Sequence, residues 1–385
     1  MVNQRLRVLH VVIDVAGGAV EYVRRLIAAR GPGIIAQAAI LPLGRQVPGG
    51  VATTLAAAGA DVVTLPALAG ATSLPRCLVT LARAVRQADV IVTHTGPAGL
   101  VGRLAAVMAN RPCVHVAHNW PGGTPSGRLR QFALDLSDRL LAPLAVAVAC
   151  PSESVRDDGL AHGWARAHRA PVIRYALDLD RFALALAADR SSARERLGFD
   201  AEAELIAFAG RLDPIKGVDV LAAAAAHLAK RRPNCLILIA GDGPERARIA
   251  AAACPSLRLL GWRGDVPLLL QAADIAVVPS RQEALGIVCL EAMAVGTPVV
   301  ASAVGGIPEA VGTAGLLVPA EDPTALAEAL DQVMGDRERR DAMAAAGRQR
   351  IAAHYSGDAW VRAYERLWRE VAPVSYTHLR AHETK

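Results

Sequence analysis

Lysine is almost absent from this chain of 385 residues: Lys216, Lys230 and Lys385 are the only three, and arginine supplies every other fixed positive side chain. A lysine inside the glycine-bounded loop Gly210 to Gly217 therefore stands out. Blocks of like charge are missing too. The formal net charge of +6 is spread as single arginines and short pairs such as Arg24-Arg25 and Arg231-Arg232, which excludes a nucleic-acid-binding tail. A mild positive excess suits an anionic substrate or brief contact with an acidic membrane surface, and equally a basic, alanine-rich proteome. The six cysteines (Cys77, Cys113, Cys150, Cys235, Cys254, Cys289) lie far apart in apolar settings without a Cys-x-x-Cys pair. That pattern speaks against a zinc or redox motif and for small buried hydrophobes in a reducing compartment. No uncharged apolar run approaches the roughly 18 to 20 residues of a membrane span, and Met1 leads through polar residues straight into a strand pattern, so a cytosolic protein is expected. No Gly-x-Gly-x-x-Gly follows the first strand-like run, which argues against a nicotinamide dehydrogenase.

What is present points to two domains of one class. The length exceeds what a single core usually organises, and 53% hydrophobic content excludes a disordered chain. Short apolar runs alternate with helical text: Leu6 to Ile13, Ile34 to Leu41, Asp61 to Leu65, Asp89 to His94, Pro112 to His118 and Ala145 to Cys150. A strand buried on both faces needs no polar side, so such runs predict a parallel sheet covered by helices, a doubly wound α/β domain. The same grammar restarts at Glu204 to Gly210 and continues through Asn234 to Gly241, Leu257 to Gly261, Asp274 to Pro279, Pro298 to Ser302 and Gly315 to Val318. The expected organisation is a first Rossmann-like domain over 1–170, a second over 171–356, a helix over 357–373 and a tail, 374–385, that reads as non-native. In the helix, Trp360, Tyr364, Leu367 and Trp368 recur at helical spacing as packing anchors.

Doubly wound sheets bind ligands beyond the carboxyl ends of their strands, so residues just after strands are the candidates. Gly17 and Gly18 follow the first strand and open a helix, where a phosphate can approach backbone amides; the plain alternative is a turn. Gly210-Arg211-Leu212-Asp213-Pro214-Ile215-Lys216-Gly217 offers a forked guanidinium and a point charge to a diphosphate, against the alternative of two surface cations. In Pro279-Ser280-Arg281-Gln282-Glu283-Ala284-Leu285-Gly286-Ile287, a strand gives way to a helix beginning near Gly286, and Glu291 falls about one turn into it on an otherwise apolar surface. A carboxylate so placed needs a partner, either ribose hydroxyls or an arginine.

These motifs resemble the retaining family 4 group of GT-B glycosyltransferases. The resemblance rests on Gly210 to Gly217, Gly241-Asp242-Gly243-Pro244-Glu245, the pair Glu283 and Glu291, and Gly296-Thr297-Pro298-Val299-Val300, and it spans Leu6 to about Val371. It implies that Arg211 and Lys216 hold the donor diphosphate, Glu291 the ribose and Glu283 the transferred sugar. The backbone near Gly17, Gly18, Gly241 and Ala284, Leu285, Gly286 and Ile287 completes that site, and Trp262 and Arg263 border the base. His118 matches the family's active-site histidine beside the sugar, and His94 is placed on the acceptor side. The final helix is expected to cross back onto the first domain. Two departures stand out: Tyr175-Ala176-Leu177-Asp178 replaces the family's usual Asn-Gly-Val-Asp, and Ala284-Leu285 stands where Gly-Phe often follows the first glutamate, leaving sugar preference open.

The resemblance further implies transfer from a nucleoside-diphosphate sugar with retention of anomeric configuration, by same-face substitution and without a metal or other cofactor. Catalysis is assigned to His118, Glu283, Arg211 and Lys216. The acceptor is expected to be a sugar or lipid-linked sugar in cell-surface polysaccharide or glycolipid synthesis, with peripheral membrane contact at the cytoplasmic face and no nucleic acid partner. Arg76, Arg83 and Arg86, or Arg128, Arg130 and Arg139, offer basic surfaces for that contact, or are solvated helix faces. The rival readings are a sugar-nucleotide epimerase or phosphorylase on the same fold, and a non-catalytic nucleotide-sugar-binding protein.

Overall fold

The computed structural model describes residues 5–13, 18–42, 50–67, 73–94, 96–118, 128–177, 179–182, 190–251, 254–355 and 357–373. Gly17, Asp178 and the tail from Val374 lie outside them. The described residues fall into two compact units, one drawn from 1–122, 126–174 and 358–385 and the other from 175–357.

In the first unit β1 (Leu6–Ile13), β2 (Ile34–Leu41), β3 (Asp61–Thr64), β4 (Val90–His94), β5 (Cys113–Val116) and β6 (Ala147–Ala149) form one parallel sheet in the order β3-β2-β1-β4-β5-β6. The apolar runs are strands because both faces are covered. Cys77, Leu81, Val85, Val101 and Ala105 pack on one set of strand side chains, and Val20, Val23, Ile27, Val51 and Leu55 pack on the other. Each fully buried aliphatic side chain contributes about 1.5–3 kcal/mol. Pro112 to His118 is shorter as a strand than its sequence suggests: β5 stops at Val116, and His118 lies two residues beyond, where its amide turns back to the Val116 carbonyl at 3.1 Å.

The second unit repeats the plan with β7 (Leu205–Ala209), β8 (Leu236–Ala240), β9 (Leu257–Gly261), β10 (Ile275–Val278), β11 (Val299–Ser302) and β12 (Leu316–Val318), all parallel, in the order β12-β11-β10-β7-β8-β9. Counted from its own first strand, this is the order of the first sheet. The order reverses direction between β1 and β4 in one unit and between β7 and β10 in the other, and the carboxyl ends of those strands are where a doubly wound sheet opens a crevice.

The chain ends its second unit at Gly357 and returns to the first as the helix Ala359–Val371. Trp360, Tyr364 and Trp368 are buried at a spacing of four residues, while Leu367 is half-buried. The Trp360 indole donates to the Tyr22 hydroxyl at 3.1 Å, Tyr22 and Tyr364 share a hydroxyl hydrogen bond of 2.6 Å, and the Gly31 amide donates to Glu365 at 2.6 Å. Three buried aromatic rings anchor this helix, with the polar atoms of Trp360 and Tyr364 satisfied and the Trp368 indole N–H without a partner.

Candidate functional site

In the second unit the loops after β7, β8, β10 and β11 meet at the carboxyl edge of the sheet. They are joined backbone to backbone: Leu212 donates to the Asp242 carbonyl at 3.0 Å, Glu245 to Leu212 at 2.9 Å, Arg281 to Ile215 at 2.8 Å and Gly306 to Glu283 at 3.1 Å. Only glycine fits at several of these crossings. A Cβ on Gly241 would stand 1.8 Å from the Gly210 carbonyl oxygen, and one on Gly305, whose φ is 51°, 1.9 Å from that of Glu283.

This framework brings Lys216 and Glu283 together across the point where the strand order reverses. The Lys216 Nζ lies 2.5 Å from Glu283 Oε1, and the Ser280 hydroxyl donates to the same oxygen at 3.1 Å. Both side chains are partly open to solvent, so the pair is a positive and a negative group held ready at the sheet edge. Arg211 is exposed and pairs with Asp213 at 2.9 Å. The turn Pro214–Lys216 is a single 3-10 turn, and Gly217, at φ 64°, is the left-handed hinge between it and the helix Val218–Leu228. Ala284 is half-buried and Leu285 buried; Gly286, at φ 81°, precedes the helix Ile287–Val295 without a side-chain cap. The first amides of a helix carry partial positive charge and accept anions. Glu291 is half-buried one turn into this helix. Trp262 is 80% exposed at the end of β9, whereas the Arg263 guanidinium is held by both oxygens of Asp265, at 2.8 and 2.6 Å.

Sequence reasoning missed the device that fixes this arrangement. Arg281 grips both Asp219 carboxylate oxygens at 2.8 and 2.9 Å, donates to the Pro214 carbonyl at 2.6 Å and reaches Glu321 at 2.7 Å. One guanidinium thus ties the loop bearing Lys216 to the loop bearing Glu283. The bidentate Arg281 bond holds the Asp219 carboxyl below its usual range. The signal in the sequence was an arginine directly after a strand, but its partner lies 62 residues away.

The first unit brings its own candidates together differently. Gly18 is the first residue of the helix Gly18–Ala28. His118 is half-buried. His94, expected on the acceptor side, is 1% exposed, and both its ring nitrogens are used, Nε2 at 3.1 Å from His10 Nδ1 and Nδ1 at 2.9 Å from His118 Nε2. It touches His118 and not solvent because it ends a central strand, with β1 on one side and β5 on the other. Burial pushes His118 down to about 4 and His94 well below the ordinary imidazole range, the latter helped by its histidine neighbours. Among the described residues no group of three or more His, Cys, Asp or Glu side chains is placed to hold a metal ion. No helix of the described residues is long and apolar enough to cross a membrane.

Comparison with known proteins agrees with this geometry. The family described as Glycosyl transferases group 1 matches residues 189–350, and the Glycosyl transferase 4-like domain matches 17–176. A D-inositol 3-phosphate glycosyltransferase of Salinispora tropica is 34% identical over 339 residues, covering 78% of this chain and 68% of its own length. One of Geodermatophilus obscurus is 33% identical over 318 residues, covering 74% and 68%. Among solved structures, Anabaena HepE in complex with UDP and glucose superposes with a TM-score of 0.78 at 22% identity, covering 93% of this chain and 98% of that one. Sucrose-phosphate synthase of Thermosynechococcus elongatus gives 0.79 at 23% identity, covering 95% and 99%; at that identity these two structures speak for the fold. Matched in both units, and a third identical to relatives over more than two thirds of their length, the chain belongs to the GT-B glycosyltransferases of the family 4 type.

Proposed function

We propose that the second unit binds a nucleoside-diphosphate sugar and that the enzyme transfers the sugar with retention of configuration, Lys216 and Glu283 being the groups on which the transfer turns. The observation that carries this reading is their ion pair at the strand-order reversal, beside the uncapped start of the helix Ile287–Val295. A diphosphate seated on that helix start takes the Lys216 ammonium and the Arg211 guanidinium, and releases Glu283 to accept hydrogen bonds from sugar hydroxyls. As the bond from the anomeric carbon to the phosphate oxygen breaks, negative charge grows on the diphosphate where these cations already stand. The acceptor oxygen bonds to the same face of the carbon, and its proton passes to the departing phosphate. Glu291 holds the ribose, Trp262 offers a ring face to the base, and His118 contacts the sugar. Arg263 reaches the base only by leaving Asp265. Neither metal nor other cofactor enters this scheme. HepE was solved with UDP and glucose, which supports a uridine donor.

Binding of UDP, GDP, ADP and their sugar conjugates to protein trimmed of 374–385 tests the reading by calorimetry. One nucleotide is expected to bind selectively, at least about 100-fold tighter than to Arg211→Ala/Lys216→Ala, since two charge-assisted contacts of roughly 1.5–3 kcal/mol each are removed. Product anomeric coupling by NMR reports retention. A folded protein that binds none of them defeats the assignment.

Two acceptor classes have support. The names of the relatives point to a phosphorylated cyclic polyol. The helix Arg128–Leu141 points instead to a lipid-linked sugar: Phe132, Leu136 and Leu140, one turn apart, are 62%, 43% and 67% exposed, beside the half-exposed Arg139. An exposed apolar stripe with a basic edge suits shallow insertion among acidic headgroups at the cytoplasmic face of a membrane. Co-sedimentation with vesicles containing phosphatidylglycerol is expected for the enzyme and lost in Phe132→Ser/Leu136→Ser; equal sedimentation of both would leave the polyol phosphate.

A further inference from the structure

Three histidines of the first unit, His10, His94 and His118, form a single diagonal across adjacent strands. In the register of β1 with β4, His10 stands beside Val92, and His94 is two residues further on, so both side chains share a sheet face. In the register of β4 with β5, His94 stands beside Val116, and His118 is again two residues further on. The rings are joined nitrogen to nitrogen, His10 Nδ1 to His94 Nε2 at 3.1 Å and His94 Nδ1 to His118 Nε2 at 2.9 Å. His118 Nδ1 is the ring atom left over at the outer end.

We propose that His94 and His10 are positioning residues that lock His118 in its Nδ1–H tautomer, making it a hydrogen-bond donor to substrate and not a proton acceptor. The surroundings make the rings neutral. Those packed on the diagonal are aromatic: the Tyr22 ring stands edge-on to His118 at 4.8 Å, and Trp368 to His10 at 5.6 Å. The charged group acting on His10 is Arg30 and those acting on His94 are the histidines themselves, so an added proton meets repulsion. A neutral imidazole has one N–H and one lone pair, so a ring bonded at both nitrogens must donate from one and accept at the other. His94 therefore makes the chain directional, with two states. Either each ring donates outward from Nδ1, or each donates inward from Nε2.

The inner end selects between them. Edge-on to His10, at 5.6 Å between ring centroids, stands the Trp368 ring, whose indole N–H is a buried donor without a hydrogen-bond partner. An N–H on the inner nitrogen of His10, Nε2, would add a second donor to this buried end, whereas a lone pair there suits the indole. The outward state follows: His10, His94 and His118 all carry the proton on Nδ1. A preset donor needs no reorganisation when substrate arrives.

The catalytic consequence rests on the reading that His118 touches substrate, but the tautomer is measurable without any substrate. Long-range proton–nitrogen correlation spectra of histidine-labelled protein at pH 7.5 are expected to show these three rings as Nδ1–H. His94→Leu removes the donor to His118 and is expected to return it to the Nε2–H form, with kcat about tenfold or more lower and KM for the donor nearly unchanged. His94→Gln keeps one acceptor and one donor, and is expected to restore the Nδ1–H form and most of kcat. An Nε2–H or charged His118 in the unaltered protein overturns the proposal, as does an unchanged tautomer in a folded His94→Leu. The correct tautomers with no effect of either variant on transfer would leave the positioning intact and remove His118 from the substrate site.

Discussion

Gly217→Ala is expected to lower stability by about 2–4 kcal/mol and to weaken nucleotide binding roughly 100-fold, while Gly198→Ala costs about 1–2 kcal/mol and leaves binding unchanged. Both glycines have positive φ, 64° and 74°, so both substitutions carry the left-handed penalty of an L residue. They differ in what the new Cβ meets. At Gly198 nothing lies within 4 Å; at Gly217 the carbonyl oxygen of Pro279 would be 1.9 Å away and its carbon 2.9 Å. Those atoms are backbone and cannot rotate aside. Nor can the loops simply part, because the Arg281 amide is bonded to the Ile215 carbonyl at 2.8 Å and its side chain holds Asp219 in the following helix. Relief must come from shifting the loop that carries Lys216, against a total stability of roughly 5–15 kcal/mol. A shift of about 1 Å is enough to lose about two orders of magnitude where charges are aimed at a phosphate. Thermal melts and calorimetric titration with the preferred nucleotide read both effects. If Gly217→Ala behaves like Gly198→Ala, the two loops do not approach as closely as described.

The sequence makes the sheets legible and leaves the couplings between loops hidden, for a physical reason. A strand covered on both faces must be largely apolar along its length, so Leu6 to Ile13 and Ile34 to Leu41 announce themselves locally and match β1 and β2 residue for residue. Loops after such strands are then candidate sites by position, which is how Lys216 and Glu283 come into view. Their salt bridge, the Arg281 brace and the roles of Gly305 and Gly306 depend on which strands are neighbours, and no local pattern encodes that. His10 shows the limit best. Inside Leu6 to Ile13 it reads, like Arg7, as a polar interruption of an apolar run, and only the placement of β1 beside β4 turns it into the inner end of a chain reaching His118. His94 was visible for the right reason, a polar residue at a strand end. Its burial and its bond to His118 come only with the fold.

The first unit is expected to lose stability on acidification before the second does, beginning near pH 6.5. Burial lowers His118 to about 4 and His10 to about 3, and holds His94 and His115 well below the imidazole range, where Arg103 adds to the effect on His115. In the unfolded chain the same rings titrate near 6.5, so between that pH and the folded values the unfolded state binds more protons. Stability is therefore complete above about pH 6.5 and falls as pH drops through the window toward 4. Each ring that is neutral when folded and charged when unfolded contributes about 1.4 kcal/mol per pH unit, and four such rings make the slope several kcal/mol per unit. The second unit has the opposite kind of group. Asp219, Asp265 and Asp331 are lowered, the first two chiefly by their arginine partners, so their contribution persists to their unfolded value and is lost only below about pH 4. Hydrogen exchange followed by peptide from pH 7.5 to 4.5 is expected to show protection lost along β1, β4 and β5 while β7, β8 and β10 keep theirs. His10→Phe, which removes one of the rings in a site already lined by Trp368, is expected to flatten that slope by about 1.4 kcal/mol per pH unit. Equal acid loss in both units, or an unchanged slope in His10→Phe, would mean that the buried rings are already charged in the native protein.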